Sequence, residues 1–168
     1  SADYFNNIQI VDLTADEQDN VYVLSDYVGY LHLDILDQNL NQIGSTIELE
    51  PQSFHHTQSI IHDDKFIYSG IKFDSAAREY KIHLKAYEIT ETGFNPDPIV
   101  HRLAANPEHH ASAYIQDTFI TLEGNVAIIW REGVRGDVGL PYLQEFDVAT
   151  LNPLTDAIQV TENDTHKH

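Results

Sequence analysis

The chain predicts an all-β fold, built as three consecutive four-stranded antiparallel units in one 168-residue module. Three observations carry this. No stretch places apolar residues at the three-and-four spacing of an amphipathic helix, whereas short β-branched and aromatic runs recur between turn residues. A pattern of opening segment, turn and apolar strand repeats three times, and internal repetition of this kind marks blades or stacked arrays. The third strand of each unit closes on a related phrase: Ile35-Leu36-Asp37, Ala86-Tyr87-Glu88 and Glu145-Phe146-Asp147.

Taken in order, unit one (8–49) reads as strands near 8–13, 20–25, 30–37 and 43–49. Unit two (57–103) reads near 57–62, 65–73, 80–90 and 98–103, and unit three (113–161) near 113–122, 125–131, 141–148 and 155–161. Turns fall where Asn, Asp, Gly and Pro gather, as at Asp16-Glu17-Gln18-Asp19, Asp63-Asp64, Glu123-Gly124 and Asn152-Pro153. These residues favour turns for local backbone reasons. The second strands, Val21 to Leu24 and Val126 to Trp130, are apolar at every position, which predicts burial on both faces. The third strands alternate, with Leu31, Leu33 and Ile35 on one side and His32 and Asp34 on the other. That pattern suits one dry and one wetter face.

Strands buried on both faces within antiparallel sheets require sheets stacked face to face in series. The four-strand unit, with its acidic turn before Asn20-Val21-Tyr22-Val23 and its Phe146-Asp147-like third strand, resembles β-propeller blades of secreted bacterial proteins. The resemblance is architectural and implies no particular activity. It also implies a shortfall, since propellers close with about four to eight blades and three are counted. The expectation is assembly with copies of itself, for instance a symmetric pair making six blades, or with the remainder of a longer chain. The chain neither begins with nor contains Met, so it reads as a processed product or an excerpt. A β-sandwich of about a dozen strands is the alternative fold.

The formal net charge is −18, and no Lys or Arg precedes Lys65 although twelve acidic residues do. Such a surface repels phosphate backbones and anionic lipid, which argues against nucleic-acid and membrane-surface roles. It suits an extracellular or periplasmic setting where salt screens self-repulsion. With no cysteine, disulfides, thiolate metal sites and Cys nucleophiles are excluded. No apolar run approaches the roughly 20 residues that span a bilayer.

Two units open on a pair of histidines, His55-His56 and His109-His110, where the first has Phe5-Asn6. In a propeller these segments lie beside the central channel, so the four histidines are the candidate ligand site; capping the strands through bonds to backbone carbonyls at repeat-equivalent positions is the alternative. Neutral imidazoles suit Zn, Mn, Ni or Cu, and a carbohydrate is the other ligand class. Propeller-type polysaccharide lyases also open some blades with a His. That resemblance implies proton abstraction from, or metal-assisted stabilisation of, an acidic sugar. A binding module, a fragment of a carbohydrate-active lyase or hydrolase, and a structural or adhesive unit of a surface protein are therefore the three readings. The first is preferred, and no residue is assigned a catalytic role.

Asp12, Asp16 and Asp19 are candidate calcium ligands, because Ca²⁺ takes several oxygens at close range; plain turn chemistry explains them equally. Arg135-Gly136-Asp137 resembles an integrin-recognition tripeptide, and Asp164, His166 and His168 could hold a metal at the terminus. Asn163-Asp164-Thr165 fits a glycosylation acceptor. Tyr22, Tyr68, Trp130 and Tyr142 could stack on sugars, although strand-interior aromatics are more often core.

Overall fold

A computed structural model describes residues 8–50, 55–76, 78–90, 93–95, 97–103, 112–133 and 139–160. Within them the fold is all-β, with thirteen strands in three antiparallel sheets and no helix. Among the described residues, then, no helix is long and apolar enough to cross a membrane. The first sheet runs β1 (Ile8–Ala15), β2 (Val21–Tyr27), β3 (Tyr30–Leu36) and β4 (Ile47–Glu50) in that order. The middle sheet runs β5 (His55–His62), β6 (Lys65–Asp74) and β7 (Glu79–Thr90). The far edge of β7 pairs with the short β8 (Gly93–Phe94) and with β9 (Val100–Leu103). The third sheet runs β10 (Ser112–Ile120), β11 (Val126–Gly133), β12 (Leu140–Phe146) and β13 (Ile158–Gln159). The three predicted units are these three sheets, and β8 is the addition that sequence reading lacked.

One turn device serves both the first and third sheets. Asp16 to Asn20, Asp37 to Asn41 and Thr121 to Asn125 each fold back so that the last residue's carbonyl accepts the first residue's N–H. The opening side chain accepts backbone N–H groups inside the turn: Gln18 and Asn20 donate to Asp16 Oδ1, Asn39 and Asn41 to Asp37 Oδ1, and Asn125 to Thr121 Oγ1. The residue before the final Asn sits at positive φ, namely Asp19 (62°), Leu40 (63°) and Gly124 (81°). Two hairpins use two-residue turns instead, Val28-Gly29 and Asp63-Asp64, with positive φ at both positions. That is the geometry whose twist matches antiparallel strands.

Packing follows from strand alternation. Tyr22 and Leu24 of β2 with Leu31, Leu33 and Ile35 of β3 meet Phe66, Tyr68 and Tyr87 of the middle sheet in one buried cluster. The opposite face of the middle sheet, through Ile67, Ile71, Ile82 and Leu84, meets Val126, Ile128 and Trp130 of the third sheet in a second. Each fully buried side chain of this size contributes about 1.5–3 kcal/mol relative to exposure. Aromatic stacking reinforces both: Tyr22 on Phe66 at 5.8 Å, Tyr68 on Tyr87 at 5.9 Å, and Trp130 on Tyr142 at 5.9 Å between centroids. The middle sheet is thus covered on both faces.

The doubly buried strand is therefore β6, where Phe66 to Ile71 are all buried. The expectation for Val21 to Leu24 is corrected, because Val21 and Val23 are only half-buried. They point away from the middle sheet, on the side of sheet one that no other sheet covers among the described residues. In β11 the expectation holds more closely, with only Ile129 of Val126 to Trp130 short of full burial.

Candidate functional site

β5 carries two of the four histidines of the predicted site. His55 and His56 open β5, and backbone pairing sets His55 opposite Ile71. His109 and His110 lie outside the described residues, as do Arg135-Gly136-Asp137, Asp164, His166, His168 and the Asn163 acceptor. Register corrects one element of the expectation. Tyr87 pairs with Phe66 and Phe146 with Val126, so Phe66 and Val126 are equivalent, as are Ile71 and Arg131. Arg131 pairs with Tyr114. The counterpart of His55 is thus Tyr114, five residues beyond His109, and the two histidine pairs are not repeat-equivalent.

All three first strands share a β-bulge at one level, between Ile10 and Asp12, His55 and Gln58, and Ile115 and Asp117. Bulges bend a strand and re-aim its side chains. Just past the first bulge, Asp12 Oδ2 accepts from Ser59 Oγ at 2.7 Å and from the Ser59 N–H, tying β1 to β5. Asp16 spends both carboxylate oxygens on its own turn, with Asn20 Nδ2 at 2.9 Å and the Tyr22 hydroxyl at 3.3 Å on Oδ2. Asp19 is an exposed turn residue. Among the described residues no group of three or more His, Asp or Glu side chains is placed to hold a metal ion. Tyr22, Tyr68, Trp130 and Tyr142 are all interior.

The structure does assemble a histidine pair that sequence reading missed. His83 of β7 and His101 of β9 approach with Nδ1 and Nε2 at 2.9 Å, their rings nearly parallel at 8°. Alternation puts Lys81, His83 and Lys85 on one face of β7, while Ile82, Leu84 and Ala86 enter the core on the other. Across the ladder, Lys72 is directly opposite Lys81, Gly70 opposite His83, and Tyr68 opposite Lys85. Lys81 Nζ donates to Asp74 Oδ2 at 2.7 Å. Lys85 meets Glu50 of β4, whose Oε1 also accepts from the Tyr68 hydroxyl at 2.9 Å. Burial, then His101, Lys72 and Lys81, push the His83 imidazole down to about 4. Burial and Lys85 lower His101 as well. The signal available in sequence was the Lys81, His83, Lys85 alternation; the role of His101 depends on the β7–β9 register.

The opposite edge of the same sheets carries the acidic turns. A cleft of about 490 Å³ there is lined by Asp16, Glu17, His62, Asp63 and Asp64, together with Ile61 and Ile89. No family model matches the chain, and no curated protein does.

Proposed function

We propose that the chain is a binding and assembly module of β-propeller type, its three sheets serving as consecutive blades outside the cytoplasm. One observation carries the reading: the middle sheet is covered on both faces by its sequence neighbours. The approach of β5 to both β1 and β10 supports it, as first strands around a shared axis require.

The faces left uncovered among the described residues indicate how the array continues. Leu13 pairs with Val23, Ile10 with Ser25 and Ile8 with Tyr27, so all three share the side of sheet one that faces away from the middle sheet. They are 56%, 59% and 61% exposed. Val21 and Val23 are the counterparts of Phe66 and Tyr68 and of Val126 and Ile128, which are covered by a preceding sheet. At the far end Ile129, Leu143 and Ile158 share the open face of sheet three. Its counterparts in the other two sheets are covered by a following sheet. The two open faces are complementary halves of an interface the chain already makes twice internally. In the isolated chain the partner is a second copy, joined head to tail so that six sheets close in a ring. The candidate ligands are a metal ion or a carbohydrate, with His55 and His56 at the start of β5 and His109 and His110 as the proposed binding residues.

Sedimentation equilibrium tests the assembly. A dimer that strengthens with salt is expected, because each copy brings a net charge of −18. Leu13→Glu and Ile129→Glu should each yield monomers. A monomer at every concentration and salt level overturns the assembly. For the histidines, metal analysis of wild type against the His55/His56/His109/His110 quadruple alanine variant decides: retained metal excludes them.

A further inference from the structure

We propose, on the basis of the head-to-tail assembly above, that Asp117 fastens one copy of the chain to the next by accepting the backbone N–H of Leu13 of a second copy. The ladders align three first-strand residues: Leu13 stands opposite Val23, Ser59 opposite Tyr68 and Thr118 opposite Ile128. In an antiparallel pair the N–H groups alternate between the partner strand and the free edge. At this position they leave by the free edge. Ser59 donates to Asp12 Oδ2 of the preceding sheet, and Thr118 donates to Asp117 Oδ1 of its own strand at 2.9 Å. Leu13 has the same register, so its N–H leaves the same way. It is 56% exposed, and among the described residues no sheet precedes its own to supply an acceptor.

The acceptor stands at the other end of the array. Asp12, Gln58 and Asp117 precede those three residues and lie opposite Leu24, Ser69 and Ile129. Directly opposed residues share a face of the sheet, so each points toward the sheet that follows its own. Asp12 reaches the middle sheet in this way, where the Ser59 hydroxyl adds a second bond at 2.7 Å. Between the second and third sheets Gln58 replaces the carboxylate, and the hydroxyls of Ser69 and Thr118 make the tie instead. Asp117 restores the carboxylate on the open face of sheet three, where it is exposed. A carboxylate accepts at both oxygens, so the bond to Thr118 leaves it able to take a second donor. The contact also sets direction. Two sheet-three faces would bring a pair of Asp117 carboxylates to one seam, a like-charge juxtaposition that disfavours the wrong partner. Two sheet-one faces would bring N–H groups together with no acceptor, so only head-to-tail joining pairs donor with acceptor.

The test compares wild type, Asp117→Ala and Asp117→Asn by sedimentation equilibrium at high salt, where screening keeps the lost charge from altering repulsion between copies. A closed pair contains two such seams, so removing the acceptor from both should weaken the dimer on the order of 100-fold. Asp117→Asn, which keeps an acceptor oxygen without the charge, should fall between. Diluted to monomer, the variants should melt with wild type, which separates a lost contact from a lost fold. The Leu13 amide proton supplies a second readout: it should move downfield when wild type assembles and stay in place when Asp117→Ala is driven together at higher concentration. A dimer equally tight in Asp117→Ala, or an unmoved Leu13 amide in the wild-type dimer, overturns the Asp117 contact and leaves the assembly standing. A wild type that stays monomeric at every concentration overturns both.

Discussion

Glu50 offers the sharpest test of how sheet one is fastened to the middle sheet. Its side chain is 7% exposed and that of its partner Lys85 12%, and the Tyr68 hydroxyl completes the contact. Glu50→Gln preserves shape and an acceptor for Tyr68 but strands the Lys85 ammonium. Removing one partner of a buried ion pair costs about 3–5 kcal/mol. Lys85 can limit that cost: giving up its proton at pH 7 takes ~4.6 kcal/mol from an ordinary value near 10.4, and burial already lowers that value. Swinging its flexible stem to water is cheaper still. We therefore expect a loss of about 3 kcal/mol, or ~6–12 °C in Tm for a chain of this length. Urea unfolding followed by Trp130, the single tryptophan, reads the loss from the other core and so reports whether both clusters melt together. The double variant Glu50→Gln/Lys85→Met removes both charges and should return to within ~1 kcal/mol of wild type. If the double variant is as unstable as the single one, the stranded ammonium is not the cause and the reasoning fails.

Three further outcomes follow from particular contacts. Val28 holds φ at 54° in a two-residue turn before Gly29, a conformation that costs a β-branched residue about 1–2 kcal/mol; Val28→Asn should raise Tm by several degrees, and a lower Tm would contradict the strain. Asp12→Ala removes the acceptor of the Ser59 N–H and hydroxyl and should cost about 1–3 kcal/mol in chemical denaturation, with Asp12→Asn recovering part of it. His83, held near 4 when folded against about 6.5 when unfolded, takes up its proton more readily in the unfolded chain. Its contribution is complete above about pH 6.5 and is lost as pH falls toward 4. His83→Gln should flatten that stretch of the stability curve by ~1 kcal/mol, after allowing for solvent screening of a partly exposed ring; parallel curves would refute it.

The β character, the three units and most strand limits were legible because alternation and turn chemistry are local. Asp16, Asp37 and Thr121 each announce a turn through a side-chain oxygen that the turn itself consumes. Burial on two faces was not legible, because it depends on how many neighbours a sheet has. Asn20-Val21-Tyr22-Val23-Leu24 is the greasier string, yet β6, with Ser69 and Gly70 in it, is the more deeply buried. Its place in the middle of the stack decides that, and Ser69 is accommodated by its bond to Thr118. The histidines show the same limit. Matching His55 with His109 by identity ignores the ladder register, which sets His55 opposite Ile71 and moves the true counterpart to Tyr114, opposite Arg131.

The pairing of His83 with His101 joins residues 18 apart through a register set by the connection between β7 and β9, where β8 intervenes. No local pattern encodes that distance. Yet the alternation of Lys81, His83 and Lys85 against Ile82, Leu84 and Ala86 was readable in advance, and it places three basic side chains on one face of a sheet in a chain of net charge −18. In so acidic a protein the positions of the few bases are the more informative quantity.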